Sequence, residues 1–503
     1  MRLGFLGVCN RSGRQWKYQP FLDAGYDTPG FGHLLPVNLA TCIAYTDPLA
    51  DIVIVQTHSG DEYETAPPPD GMSLAPGPLP QVEAMTVHEG DPDFKFRNEP
   101  TPGERELRRL AIDHGADVLI NHHPHVLQGF ESYQGKLIAH SLGNFIFDLY
   151  YTETMPTLVL TLEIEKTGIT GYRFTPAWIN HWIPEPATGN LGREIVGRMT
   201  EYSRPLNAVV VPILESSPDR YEARIHLSRG ELDSTVTHHD VLLEMVAAED
   251  GFVSAPHQLE FPGNLSGLAD LAGQGYEVRW GRELLWLGGF EDEGADLWDV
   301  NTDDEVLVSD EVHSGRSSLR LRRLSSAFGQ TGTDLQKHLP CDPAREHSAV
   351  AWLKAENASQ ARVMVRFYTD RYSSSPIGDF DLSSRLDGDT DWVRQWRDLP
   401  TPASGDYFDM RCGHEPPASG TGYSWYDDLA FIEWEPWLPA GGPVKVPSPN
   451  NFRFVQIRHA GSNLPATLTL RETSYGPAQT SPAGSDAPAR IRPALRCYPN
   501  PFN

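Results

Sequence analysis

"GADVLINHHPHVLQGFESYQGKLIAHSLGNFIFD", residues 115–148, decides how the first part of this chain folds. Its opening run "ADVLI" (116–120) is short, apolar and bounded by a glycine stop and a polar cluster, the pattern of a strand buried on both faces. The run ends on Asn121, His122, His123, Pro124 and His125, so three histidines arrive together at a strand C-terminus. Ligands of α/β folds bind at such edges. Upstream, "ADIVIVQTH" (50–58) is a second buried strand, and it delivers His58 to what is expected to be the same edge. Between the two, "TPGERELRRLAIDHG" offers a capping box from Thr101 to Glu104, Pro102 in the first turn, and Leu107, Leu110 and Ala111 on one face, with Gly115 as the stop. That predicts a helix. "MRLGFLGVC" (1–9), "GKLIAHSL" and "PTLVLTLEIE" add strands, so residues 1–207 are expected to be α/β.

Imidazole suits divalent transition metals, and an H-x-H pair such as His123 and His125 turns two rings toward one site while Pro124 limits the backbone. The competing reading is four surface rings in solvent. His88, His114, His140 and His181 are read as ordinary surface histidines.

The remainder of the 503 residues changes character. Residues 208–280 carry weak signals, with "RYEARIHLS" as a strand and "HHDVLLEMVAA" as a short helix. Residues 281–436 show short alternating runs between Gly, Ser and Asp clusters, the pattern of a β-sandwich. A linker and strand pair (437–474) and a Pro/Ala/Ser/Gly-rich tail (475–503) follow. The formal net charge of -27 argues against a nonspecific nucleic-acid binder, which gains affinity through Lys and Arg on phosphates. No stretch approaches the roughly 18 apolar residues of a membrane-spanning helix. The five cysteines lie far apart with no CxxC pair, which leaves a Cys341–Cys412 bridge as the one candidate disulfide.

In combination, "DIVIVQTHSGDEYE" and the 115–148 stretch resemble the CapA poly-γ-glutamate capsule biosynthesis family, a branch of the calcineurin-like metallophosphatases. The family's H-W-G-x-E-Y stands here as His58, Ser59, Gly60, Asp61, Glu62 and Tyr63, its G-H-H-P-H as Asn121 to His125, and its S-L-G-N-F is intact at Ser141 to Phe145. The resemblance implies a four-layered α/β sandwich with a pair of divalent metals, Mn or Zn, at the strand ends. His58, His123 and His125 would be ligands, with His122 and Asn144 as catalytic neighbours. It also implies action on a cell-surface polymer such as poly-γ-glutamate or capsule. The family's G-D, N-L-E and N-N-H segments have no counterpart here, so the chain is expected to start midway into that domain, and the histidine site to be partial and open on one side. Ser59 and Asn121 stand where the family has Trp and Gly.

"WLGGFEDEGADLW", "AVAWLKAEN" and "YSWYDDLAFIEW" resemble the jelly-roll carbohydrate-binding modules. Those modules hold a structural calcium through residues that map to Glu291 and to Asp427 or Asp428, and carboxylate oxygens suit that ion. The alternative is two solvated acidic loops. Trp298, Trp352, Trp392, Trp396 and Trp425 are assigned to the core rather than to a sugar platform. "YPNPFN" (498–503) resembles the start of the sorting domain of type IX secretion, which implies a bacterial protein bound for the cell surface or exterior through that machinery. The other expectation is a non-catalytic surface protein that binds glycan through the sandwich.

Overall fold

The computed structural model of the chain describes residues 1–10, 24, 30, 32–60, 102–147, 154–180, 182–214, 221–228, 236–248, 251–259, 267–269, 275–285, 288–291, 298, 300, 304–335, 338–440, 444–445, 452–460, 467–475 and 495–497. Thr101, Asp61 to Tyr63, His88, His181 and the sorting-domain motif at 498–503 lie outside these residues.

The first unit is built on a six-stranded sheet. Its strands are β1 (Leu3–Cys9), β2 (Gly32–His33), β3 (Ile52–His58), β4 (Val118–His122), β5 (Leu127–Tyr133) and β6 (Lys136–Leu142), in the order β2-β1-β3-β4-β6-β5. All neighbours are parallel except the β5–β6 hairpin. The continuous apolar runs arise because both faces are covered. Ile52, Ile54, Val118, Ile120, Leu137 and Ala139 enter one core, while Val53, Val55, Leu119 and Ile138 enter another with Leu39 and Ile43 of α1 (Pro36–Thr46) and Ala111 and Ile112 of α2 (Pro102–Asp113). Burial of one such side chain contributes about 1.5–3 kcal/mol. The buried face of α2 also takes in Glu104 and Arg108, where Leu107 and Leu110 led the sequence pattern. Arg108 is drawn inward by the polar partners described below.

The opposite face packs on a second sheet made of β7 (Pro156–Glu165), β8 (Gly168–Asn180), β9 (Ile183–Pro186), β10 (Val209–Leu214) and β11 (Tyr221–His226). α3 (Gly189–Ser203) adds Leu191, Ile195, Val196 and Met199 to the shared core. β5 passes so close to α3 that a Cβ on Gly129 would lie 2.2 Å from the Tyr202 carbonyl oxygen. Antiparallel pairing carries this sheet past residue 207, since β10 pairs β11 and β11 pairs β8.

From Val236 onward the strands form one continuous hydrogen-bonded system. β12 (Val236–Ala248), β13 (Gly251–Ser254), β14 (His257–Gln258), β15 (Gly267–Ala269) and β16 (Tyr276–Glu283) come first. β12 overturns the short helix expected at "HHDVLLEMVAA". Leu243 and Met245 are buried while Leu242 and Val246 are exposed, a period of two that nine antiparallel partners in a later strand, residues 467–475, hold in place.

The sandwich proper comprises β17 (Glu305–Val308), β18 (Ser318–Leu324), β19 (Thr331–Asp334), β20 (Leu339–Pro340), β21 (Glu346–Tyr368), β22 (Gly378–Asp381), β23 (Leu386–Leu399), β24 (Tyr407–Glu415) and β25 (Thr421–Trp434). β21 serves both sheets: its first half pairs β25 and β23, and its second half pairs β24 and β22. The crossing falls where Asn357 and Gln360 take positive φ. Leu353, Val363, Phe367, Phe408, Met410 and Phe431 fill the space between the sheets. Cys412 is buried in that core and Cys341 donates to the Gly405 carbonyl at 3.2 Å, so the expected bridge is absent and both are free thiols.

The chain then returns through β26 (Leu438–Pro439), β27 (Val444–Lys445), β28 (Phe452–His459) and β29 (Thr467–Tyr475) to pair with β12–β16, and β30 (Leu495–Cys497) adds to β7. Segments separated by the whole sandwich thus share a core of Leu243, Val278, Trp280, Val455 and Ile457. Among the described residues no helix is long and apolar enough to cross a membrane.

Candidate functional site

The parallel register places His58 beside His122 and Thr57 beside Asn121, with Cys9 beside His58 on the other side. The sheet therefore brings His58, His123 and His125 to one edge. Ring centroids are 4.4 Å apart for His58–His123 and 5.7 Å for His123–His125. Backbone geometry turns the last two rings: His123 has φ 113° and His125 φ 60°. Non-glycine residues held there cost on the order of 1–3 kcal/mol each and cluster at functional sites. The Cys9 Sγ lies 3.4 Å from His58 Nδ1.

His125 is oriented by Asn144. Its Nδ1 lies 2.7 Å from Asn144 Oδ1, and since an amide oxygen only accepts, Nδ1 carries a proton and donates. Asn144 is itself fixed, donating to the carbonyls of His125 and Thr154 at 3.3 Å. The turn that delivers it needs Gly143 at φ 75°, where a Cβ would lie 2.6 Å from the Pro156 carbonyl oxygen.

The site is more enclosed than the sequence suggested. His122, His123, His125 and Asn144 are all buried and His58 is half-exposed, and Phe147 packs 5.0 Å from the His125 ring. Among the described residues, neither ring nitrogen of His122 has a hydrogen-bond partner. Burial, reinforced by the charge of His58, lowers its pKa to about 4, so the ring is neutral at physiological pH.

Beneath the histidines lies a polar network that the sequence reading missed. Asn121 accepts from Thr57 Oγ1 (2.6 Å) and Ser59 Oγ (2.7 Å) and donates to the carbonyls of Ser59 (2.9 Å) and His140 (3.0 Å). The two departures from the family pattern, Ser59 and Asn121, thus bond directly to each other. His140, expected on the surface, is fully buried: Arg108 donates to its Nδ1 at 2.8 Å and its Nε2 donates to Glu131 at 2.8 Å. Glu131 also receives Arg105 at 2.9 Å and Arg109. The only available signal was the pairing of a strand histidine with an arginine-rich helix. His114 is exposed as expected.

Metal ligation requires nitrogen lone pairs aimed at one point about 2.0–2.1 Å away. The neutral His122 ring and the Asn144-oriented His125 ring suit such a role, but proximity of rings is not convergence of nitrogens. Among the described residues no group of three His, Cys, Asp or Glu side chains is placed to hold a metal ion. The described donors therefore do not fit the metal pair.

Glu291 and Asp427 are far in sequence from this edge and converge on another feature. Asp427 accepts the backbone N–H groups of His313 (2.8 Å) and Ser314 (3.1 Å), and Glu291 accepts that of Arg316 (2.9 Å), so both carboxylates clamp one loop. Asp428 adds contacts to the His313 ring and Ser314 hydroxyl. Burial, followed by the adjacent Asp428 charge, pushes Asp427 up to about 8. Of the tryptophans, Trp298 and Trp425 are buried, while Trp352, Trp392 and Trp396 are partly exposed. Trp352 stacks on His313 at 3.8 Å.

Comparison with known proteins locates the family signal in the same edge. The sequence profile of the bacterial capsule synthesis protein family PGA_cap matches residues 84–149. The chain is 31% identical over 160 residues to the PGA biosynthesis protein CapA of Bacillus subtilis (strain 168), covering 32% of this chain and 33% of that protein. It is 30% identical over 149 residues to the capsule biosynthesis protein CapA of Bacillus anthracis, covering 30% and 28%. The chain spans about a third of the length of these curated relatives. Similar solved structures include the carbohydrate-binding module TmCBM61 in complex with β-1,4-galactotriose, with 15% identity and a TM-score of 0.24 over 30% of this chain and 99% of that one. The CBM22-1 xylan-binding domain from Paenibacillus barcinonensis Xyn10C has 13% identity and a TM-score of 0.23 over 31% and 96%. The matched segment, residues 84–149, is thus similar to that of the capsule synthesis proteins.

Proposed function

We propose that this chain acts in making or handling a bacterial cell-surface polymer of the poly-γ-glutamate or capsule type, with the edge formed by His58, His122, His123, His125 and Asn144 as its working site. One observation carries the reading. The segment that matches the capsule synthesis family contains His122 through Asn144, and the sheet folds that segment so that its histidines meet His58 in parallel register. The Asn144-oriented His125 ring and the neutral His122 ring supply imidazoles that can take part in proton transfer to or from a bound polymer. A cell-surface or secreted location follows from the polymer.

The test is retention of poly-γ-glutamate by the purified full chain, with metal content measured in parallel on the wild type and His123→Ala. Polymer retention or cleavage that His123→Ala abolishes supports the reading. No interaction with the polymer overturns it. A second reading is favoured by the lack of a three-ligand group among the described residues: a non-catalytic surface protein that binds glycan through the sandwich. Retention that survives His123→Ala, with no bound metal in either protein, selects that reading.

A further inference from the structure

A cavity of about 260 Å³ lies away from the histidine edge, where α3, the β14–β28 pair and the sandwich meet. Two arginines from different units line it, Arg193 on α3 and Arg394 on β23. Arg193 donates to the Leu259 carbonyl and Arg394 to the Pro256 carbonyl, and among the described residues neither pairs with a carboxylate. A guanidinium carries five N–H donors, so one backbone bond leaves most of the fork available. Burial alone lowers the Arg394 pKa to about 10, a cost that an anion in the cavity would offset.

The acidic groups on the wall are already satisfied. Glu194 is held by Arg198 (2.8 Å) and Arg453 (3.1 Å). Asp428 faces the His313 ring at 2.6 Å and the Ser314 hydroxyl at 2.8 Å. Glu283 takes the N–H groups of Leu285 and Phe431, and burial together with the Glu194 charge raises its pKa well above the usual range, which favours the uncharged acid. The wall carboxylates thus have donors of their own, whereas among the described residues the two lining arginines have only backbone carbonyls. The remaining wall of the cavity mixes polar His257, Gln258 and His313 with apolar Val350, Trp352 and Leu429, and Trp352 stacks on the His313 ring.

We infer that this cavity binds one carboxylate-bearing unit, the size of a single sugar or amino-acid residue, with its carboxylate on Arg394 and Arg193 and its aliphatic or pyranose face toward the Trp352 wall. A guanidinium fork matches a carboxylate in two parallel hydrogen bonds, which a neutral hydroxyl pair does not reproduce. The volume is at the lower limit of ligand pockets and admits one unit rather than a polymer segment. The inference rests on the polymer-directed reading and narrows it: the unit is either a uronate of an acidic glycan or a γ-linked glutamyl residue, which share the carboxylate.

Calorimetric titration of the full chain with glucuronate, γ-glutamylglutamate and glucose at matched ionic strength tests it. At least one acid is expected to bind about tenfold or more tightly than glucose, and the tighter acid identifies the source. Arg394→Gln should remove that preference. Arg193→Gln, at a half-buried helix position, should reduce it and serves if the Arg394 variant does not fold. A purely structural clamp on the Pro256 and Leu259 carbonyls would alter stability without altering the acid-to-neutral ratio. Equal binding of glucose and the acids, binding of neither acid, or a preference unchanged in the folded variants overturns the inference. Retention of poly-γ-glutamate by the wild type, measured alongside, keeps the two readings separate: polymer retained with the cavity variants unchanged sinks only the cavity, whereas no retention sinks the polymer reading.

Discussion

Replacing Asn121 by Ala should loosen the β3–β4 edge on which the histidines sit. The side chain is fully buried and makes four hydrogen bonds of 2.6–3.0 Å. Each intramolecular hydrogen bond contributes roughly 0.5–1.5 kcal/mol net. The hydroxyls of Thr57 and Ser59 can rotate toward other acceptors, so their loss is partial. The Ser59 carbonyl keeps Arg108 at 3.3 Å, whereas the His140 carbonyl loses its side-chain donor. These considerations give a local destabilisation of about 2–4 kcal/mol. Because the chain has several units, the assay is hydrogen exchange of peptides covering residues 52–58 and 118–122 rather than a global melt. Faster exchange confined to those peptides, with sandwich peptides unchanged, is expected. Asn121→Asp should be at least as damaging, since it sets a carboxylate against two carbonyl oxygens. A change under about 1 kcal/mol in both variants would refute the network as the support of this edge.

Three further outcomes follow from the same geometry. His122→Leu should leave stability unchanged or raise it, because two buried ring nitrogens without partners cost free energy that an apolar side chain does not; a loss above about 1 kcal/mol in urea unfolding would show that the ring has partners. The first unit should be acid-labile. Burial alone would raise Glu131, but bonds from His140, Arg105 and Arg109 hold it at about 2, while burial, against the Glu131 bond and with the Arg108 charge, holds His140 at about 4. Both values lie below those of the unfolded chain, so the unfolded state binds more protons, and stability present above pH 6.5 falls first through the His140 window down to about 4, then from 4.5 to about 2. The Glu131 contribution is on the order of 3 kcal/mol, and Glu131→Gln should flatten the lower part of the stability–pH curve measured by exchange at β5 and β6. The Asp427 and Glu291 carboxylates are taken up by backbone N–H groups of the 313–316 loop, so Ca²⁺ or EDTA should leave the melting temperature of the full chain unchanged; a rise with Ca²⁺ would show that they bind the ion as well.

Local pattern alone was enough to place β3, α2, β4, β6 and β7, since a run of β-branched residues between breakers has one low-energy use, and a capped amphipathic stretch another. The same pattern delivered His58 and the His122–His125 cluster to strand ends, because side chains follow the strand that carries them. What it could not supply was anything decided by a partner distant in sequence. "HHDVLLEMVAA" has apolar residues compatible with either period, and only pairing with Thr467–Tyr475, more than two hundred positions away, made it a strand. Arg108 and His140 look like surface residues one at a time; burial became affordable only when the fold placed each within 2.8 Å of the other and Glu131 beyond. Ser59 and Asn121, read singly as departures from a family pattern, are one hydrogen-bonded pair across two strands. The arginine-lined cavity belongs to three units at once and leaves no trace in any short stretch. Residue chemistry and local periodicity are properties of the chain, whereas burial, partnership and charge balance are properties of distances that only the assembled sheets create.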